Sequence, residues 1–342
     1  MSRHVFSPLR GRLDELTVES KALAGNLLGD PASRRTAVYL PEGHDDGGGD
    51  YPLIVYLSGY GGSGLGQTAW KGFGESLPQR VERLIAEERM APAIVAMPDA
   101  FTSLGGNQYI NSPVFGNWED YLLEELLPAL GRSYRVRPGA AHRAVLGKSS
   151  GGYGSLIQGM KHGEHWGAIA SHSGDVDFDL VYRSDFPKIA TALARHGGDI
   201  AGFVNYFTEA RKTSWPEMHV LSILAMAATY DPDVDAPLGV RLPFDAETCR
   251  LDPERWEQWL SHDPLRLADR PECREKLSGL KGLFIDCGSR DQFHLHFGTR
   301  ALVRKLRAAS IEHRYEEFDD DHLGTSYRLD VSLPFLSTAI RS

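Results

Sequence analysis

LGKSSGGYGS, residues 146–155, admits two opposed chemistries. Gly147-Lys148-Ser149 resembles the end of a phosphate-binding loop, whereas Gly147-Lys148-Ser149-Ser150-Gly151 is a G-x-S-x-G turn of the kind that lifts a nucleophilic serine above a sheet. A phosphate loop needs a glycine five residues before the G-K pair, so that backbone amides can close on the phosphates. That position is His142, and no glycine-rich span precedes the lysine. The nucleotide reading therefore fails on a physical requirement. The second reading meets its own. The apolar run RAVLG (143–147) leads into the motif, and Tyr153, Leu156, Ile157 and Met160 follow at helical spacing. A strand-to-helix turn this sharp crowds the positions two before and two after the serine, and Ser149 has glycine at both. A nucleophile at Ser150 would put the Lys148 side chain into the crowded place. Ser149 is the expected nucleophile, and the Ser150 backbone amide an expected oxyanion donor. Lys148 receives no role.

Outward from this turn, the chain alternates short apolar runs with amphipathic stretches. LIVYL (53–57), AIVAM (93–97), GAIAS (167–171) and GLFID (282–286) suit strands buried on both faces. WEDYLLEELLPAL (118–130) and GTRALVRKLRAAS (298–310) carry the helical period. The alternation predicts an α/β fold, a mostly parallel central sheet flanked by helices. DELTVESKAL (14–23) and RRTAVYLPEG (34–43) read as two strands with no helix between them, hence an antiparallel edge. Residues 177–275 break the rhythm: they hold helical patches (FPKIATALARHG, MHVLSILAMAATYD, PERWEQWLSH) and no run suited to a buried strand. They are expected to form a helical cap inserted into a single domain spanning 1–342. VLSILAMAATY (220–230), Trp256 and Trp259 are candidate linings of its pocket.

A serine is a weak nucleophile at its ordinary pKa and needs a base. The last histidine, His322, lies in YEEFDDDHLGTSYR (315–328), after an expected strand at 313–318 and before a C-terminal helix. For the acid, GLFIDCGSRDQF (282–293) offers Asp286, still inside the strand-like run, and Asp291, beyond it on a loop able to reach the histidine. Asp291 is favoured. Asp319, Asp320 and Asp321 sit beside His322 in sequence and read as a solvated acidic turn. LSGYGGSG (57–64) follows an apolar strand, where a second oxyanion donor is expected: the backbone amide of Tyr60, with Gly61 as the alternative. His172 reads as a structural histidine just past a strand. His294 and His296 form an H-x-H pair without a third ligand at a metal-site spacing, so no metal is expected.

The net charge of −9 disfavours nucleic acid and anionic membrane as partners. Cys249, Cys273 and Cys287 are odd in number and form no C-x-x-C, which argues for reduced thiols. The start, MSRHVFSPLRGRLDEL, lacks the apolar core of a secretory leader, and no run approaches the ~18 apolar residues of a membrane span. A cytoplasmic protein is expected. Self-association stays open.

Taken together, YLSGYGG, MPDA (97–100), NWEDYLLEELLP (117–128), GKSSGGYGS, CGSRDQF and DHLGTSYRLDVSLPFL make the chain resemble the putative-esterase family of α/β-hydrolases. That family includes S-formylglutathione hydrolases (esterase D-like), feruloyl and enterochelin esterases and mycolyltransferases. The resemblance spans about residues 15–175 and 280–340 and leaves out the insertion. It implies a serine esterase with Ser149, Asp291 and His322 as triad, an oxyanion hole from the Tyr60 and Ser150 amides, a small-molecule ester as partner and no cofactor. Acyl transfer to an alcohol would use the same residues, and a non-catalytic binding protein on this fold is the remaining alternative. The enlarged gap between Ser149 and Asp291 keeps the family's substrate preferences from being carried over.

Overall fold

The computed structural model describes residues 8–341; residues 1–7, on which the expectation about a leader partly falls, lie outside them. Eight strands form one sheet: β1 (Arg12–Glu19), β2 (Ser33–Leu40), β3 (Leu53–Leu57), β4 (Ile94–Pro98), β5 (Arg143–Lys148), β6 (Ala168–His172), β7 (Gly282–Gly288) and β8 (Arg314–Phe318). Their spatial order is β1-β2-β4-β3-β5-β6-β7-β8. The first two strands run antiparallel at one edge, as their uninterrupted succession in sequence predicts, and β3 to β8 are parallel. Every residue of β3, β4, β6 and β7 is buried, which is why these strands read as continuous apolar runs. The edges differ. β1 and β8 are rich in charge and largely open to solvent, and such charges keep an unpaired strand edge from recruiting another chain.

Helices cover both faces. One face is sealed by α1 (Leu77–Ala86) and the C-terminal α12 (Leu329–Ile340), through Leu77, Val81, Leu84, Leu333 and Leu336. The other carries α2 (118–133, with a π-helical turn at Tyr121–Leu126), α3 (Ser150–His162) and α11 (Leu295–Ala308). His142 lies in a 3₁₀ turn (Ala140–His142) just before β5, and its ring Nδ1 is 3.1 Å from the Ile340 carbonyl.

Between β6 and β7 the chain makes seven α-helices: α4 (Phe178–Val181), α5 (Phe186–Ala194), α6 (Ile200–Glu209), α7 (Trp215–Tyr230), α8 (Pro253–Ser261), α9 (Pro264–Leu267) and α10 (Pro271–Ser278). The start of α7 is written in sequence as a capping box: Ser214 accepts from the Glu217 amide, while the Glu217 carboxylate accepts from the Ser214 amide at 2.6 Å. Its second half is buried all round, from Ile223 to Tyr230, so α7 lies inside the segment rather than on its surface. Trp256 and Trp259 are core residues, not pocket linings: they pack edge-on against Phe186 at 5.3 and 6.2 Å and tilt against each other at 5.7 Å. Among the described residues, no helix is long and apolar enough to cross a membrane.

Candidate active site

The sharp turn between β5 and α3 has the geometry its glycines foretell. Ser149 adopts φ 58° and ψ −124°, a region costing a non-glycine residue about 1–3 kcal/mol. A Cβ on Gly147 would lie 2.4 Å from the Gly151 carbonyl, and one on Gly151 would lie 2.0 Å from the Leu57 oxygen. No other residue type fits at either place. The strained serine is held by its own backbone: its amide donates to the His172 carbonyl at 3.0 Å, and its carbonyl accepts from the Tyr153 amide at 2.8 Å. Ser150 opens α3, so its amide is one of the first-turn donors that have no carbonyl within the helix.

The loop after β3 faces the turn. A Cβ on Gly59 would stand 3.0 Å from the Lys148 carbonyl and 3.5 Å from Ser149 Cβ. The Tyr60 hydroxyl donates to the Leu104 carbonyl at 2.7 Å and anchors that loop, and burial raises its phenol well above the usual range. The Gly61 amide is committed to the Gly105 carbonyl at 2.8 Å. Of the two donors expected here, Gly61 is therefore already engaged.

His322 and Asp291 meet although 31 residues separate them: His322 Nδ1–H donates to Asp291 Oδ2 at 2.7 Å, because an ionised carboxylate can only accept. Asp291 sits on the β7–α11 loop, 2% exposed, and its other oxygen accepts from the Phe293 amide at 2.9 Å. The His322 amide donates to Gln292 Oε1 at 3.0 Å, and the ring lies edge-on to Phe293 at 4.9 Å. Ser149 and His322 line one cavity of about 360 Å³, with Tyr60, Ser150 and Lys148 around it. The α7 residues Trp215, Met218, Ser222, Ile223 and Met226 supply much of its far wall.

Asp286 has a different assignment. It is sealed, 1% exposed, and accepts from His172 Nδ1 at 2.7 Å and from Arg328 Nε at 2.8 Å, while His172 Nε2 meets Ser332 Oγ at 2.8 Å. His172 is thus engaged on both ring nitrogens behind the turn, and it does not line the Ser149 cavity. Asp319 and Asp320 turn to the surface, on Arg290 and Tyr327 respectively. Among the described residues, no group of three or more His, Cys, Asp or Glu is arranged to hold a metal ion.

Lys148, unassigned from sequence, lies at the end of β5 and borders both the Ser149 cavity and a second one lined by Lys71, His172 and Thr325. Burial pulls its ammonium below the usual pKa, against the opposing pull of Asp291, Asp321 and Asp286. Sequence reasoning missed Gln108, which sits in no motif. Its Nε2 donates to Ser150 Oγ at 3.1 Å and to Asp175 Oδ2 at 3.3 Å, so the Ser150 side chain has a partner of its own.

The family model described as "Putative esterase" matches residues 31–332. Two Mycobacterium tuberculosis proteins, Esterase MT1326 and Esterase Rv1288, are each 29% identical over 170 residues; the match covers 47% of this chain and only 34% of each relative. Among solved structures, a ferulic acid esterase superposes with a TM-score of 0.64 at 17% identity, covering 97% of this chain and 100% of its own. An S-formylglutathione hydrolase from Agrobacterium tumefaciens gives 0.58 at 17% identity, covering 98% and 97%. These likenesses are of fold, a mostly parallel sheet between helices with the α/β-hydrolase topology. With a match that runs through nearly the whole sheet and the segment inserted in it, the chain belongs to the Esterase family.

Proposed function

We propose that the protein hydrolyses carboxylic esters through a covalent acyl-enzyme on Ser149. The Ser149 hydroxyl oxygen attacks the ester carbonyl carbon while its proton passes to His322 Nε2, the ring nitrogen that Asp291 leaves free. The oxyanion rests on the amides of Tyr60 and Ser150. Collapse breaks the bond to the alkoxide oxygen, and the imidazolium returns its proton to the departing alcohol. Water, deprotonated in turn by His322, attacks the acyl carbonyl and releases the acid and the free serine.

The observation that carries this reading is the His322–Asp291 pair at 2.7 Å beside a serine held in a strained conformation on the same cavity. The apolar α7 wall suits an acyl or aromatic ester of small to medium size. The three free cysteines fit a reducing compartment, and the cytoplasm is the location we propose.

A chain-length series of p-nitrophenyl esters, run on the wild type and Ser149→Ala, tests the proposal together with labelling by a fluorophosphonate probe. The expected loss in kcat is at least about 10⁴-fold, as for nucleophile removal in other serine hydrolases. Equal hydrolysis by both proteins, or a label on a different serine, overturns it.

A further inference from the structure

The cavity that holds Ser149 contains a carboxylate the hydrolytic steps do not use. Asp175 lies three residues beyond the end of β6, is 6% exposed, and lines the cavity on the side of α7 and Tyr182. Its two oxygens are unequal. Oδ2 accepts from the Tyr182 hydroxyl at 2.8 Å and from Gln108 Nε2 at 3.3 Å. Oδ1 accepts from no described residue, and no cation is paired with either oxygen among the described residues.

The cavity that Asp175 lines carries Val181, Ile223, Met226 and Leu295, none of which can hydrogen-bond to a charge with any strength, as well as the polar Lys148, His219 and Ser222, none of which is bonded to Asp175. Burial lifts the acid to about 6, the Tyr182 and Gln108 bonds and the nearby His322 pulling the other way. A purely structural carboxylate would have both oxygens satisfied, because a buried charge left without partners costs stability. Gln108 ties this side chain to the turn: the Nε2 that reaches Asp175 also reaches Ser150 Oγ. The carboxylate is thus one side chain away from the residue following Ser149.

We propose that Asp175 is a specificity residue: it receives an O–H or N–H donor, a hydroxyl or an ammonium, on the apolar body of the ester bound at Ser149. The natural substrate is then an ester with an apolar acyl or alcohol arm ending in a donor, and not a plain alkyl or aryl ester. This rests on the esterase reading above and adds to it the chemical class of the substrate.

The test uses two series of esters: methyl 3-phenylpropanoates, which vary the acyl arm, and 2-phenylethyl acetates, which vary the alcohol arm. Each is made unsubstituted, with a para-hydroxyl and with a para-aminomethyl group. The readout is the kcat/KM of a donor-bearing ester divided by that of its unsubstituted partner, so a general loss of activity cancels. In the wild type the ratio is expected to be about 10–100 in at least one series, the range for a hydrogen bond to a charged group. Asp175→Ala should bring it to about 1. The isosteric Asp175→Asn keeps an acceptor for a hydroxyl but no charge for an ammonium, so it separates the two donors and serves if the alanine variant does not fold. Ratios near 1 for the wild type in both series, or ratios that the substitutions leave unchanged, overturn the proposal while leaving the esterase reading intact. Absence of Ser149-dependent turnover on all six esters overturns that reading, and this one with it.

Discussion

Ser149 depends on two residues that have no side chain. A methyl group at Gly151 would meet the Leu57 oxygen at 2.0 Å, and neither backbone can yield without moving β3 or the first turn of α3. Gly151→Ala is expected to lose about 1–3 kcal/mol or more of stability, the usual cost of overpacking, visible as a lower midpoint in urea or heat. The acid follows a different logic. Asp291→Asn keeps the shape of the pair but stabilises the wrong imidazole tautomer, so kcat is expected to fall on the order of 10⁴-fold with the fold intact by circular dichroism. Sequence distinguished Asp291 from Asp286 because a residue inside a buried strand cannot swing toward a distant loop. It held no trace of Gln108 or of the engagement of Ser150 Oγ, since those contacts come from a loop more than 40 residues away with no motif of its own.

At the scale of elements, the strands were legible and the inserted segment only in part. Buried parallel strands announce themselves as apolar runs, whereas α6 buries only Phe203 and offers no stripe to read. Trp256 and Trp259 have the chemistry of a pocket lining, and only tertiary packing turns them inward against Phe186. Within the stretch 220–230, Ser222, Ile223 and Met226 line the cavity. Ile223→Trp is expected to fill the cavity and lower kcat/KM for long p-nitrophenyl esters about tenfold or more relative to the acetate, read from the chain-length series. The same segment is fastened by Asp263, whose carboxylate caps α9 through the Leu265 amide at 2.9 Å and accepts from the Asp177 and Phe178 amides at 3.1 and 2.8 Å. Burial raises this acid to about 6, above its unfolded value, the three amide bonds opposing it. Such a group contributes stability that is fully present below its unfolded pKa and is lost as the pH rises through 6. Asp263→Asn removes that titration. The variant is expected to be less stable throughout, for want of one acceptor, but to lose less stability than the wild type between pH 4 and pH 7 in denaturant titrations.

For the whole molecule, the helices on the face away from the insertion are tied by charge as well as by leucines. Asp330 of α12 pairs with Arg80 of α1, and with Arg83 at 2.9 Å, while Glu75 binds Arg83 at 2.6 Å. Arg80 is nearly buried, its side chain 8% exposed, so the cluster is more than surface decoration. Asp330→Ala is expected to cost about 1–3 kcal/mol, below the full penalty for a buried pair because Asp330 is partly solvated, with kcat unaltered. None of this pairing, nor the crossing of β3 and β4 in the sheet order, is visible along the chain, because contacts at such separations leave no periodic signature. The antiparallel edge was visible, because two strands with no helix between them have no crossover to make them parallel. The sheet also sets two histidine–carboxylate pairs side by side, His322–Asp291 and His172–Asp286, both at 2.7 Å and each with a serine in its surroundings. By residue type, both are serine–histidine–aspartate groups. Ser332 is wholly enclosed while Ser149 opens onto space large enough for an ester, so under the proposed function one group would be a reagent and the other a rivet.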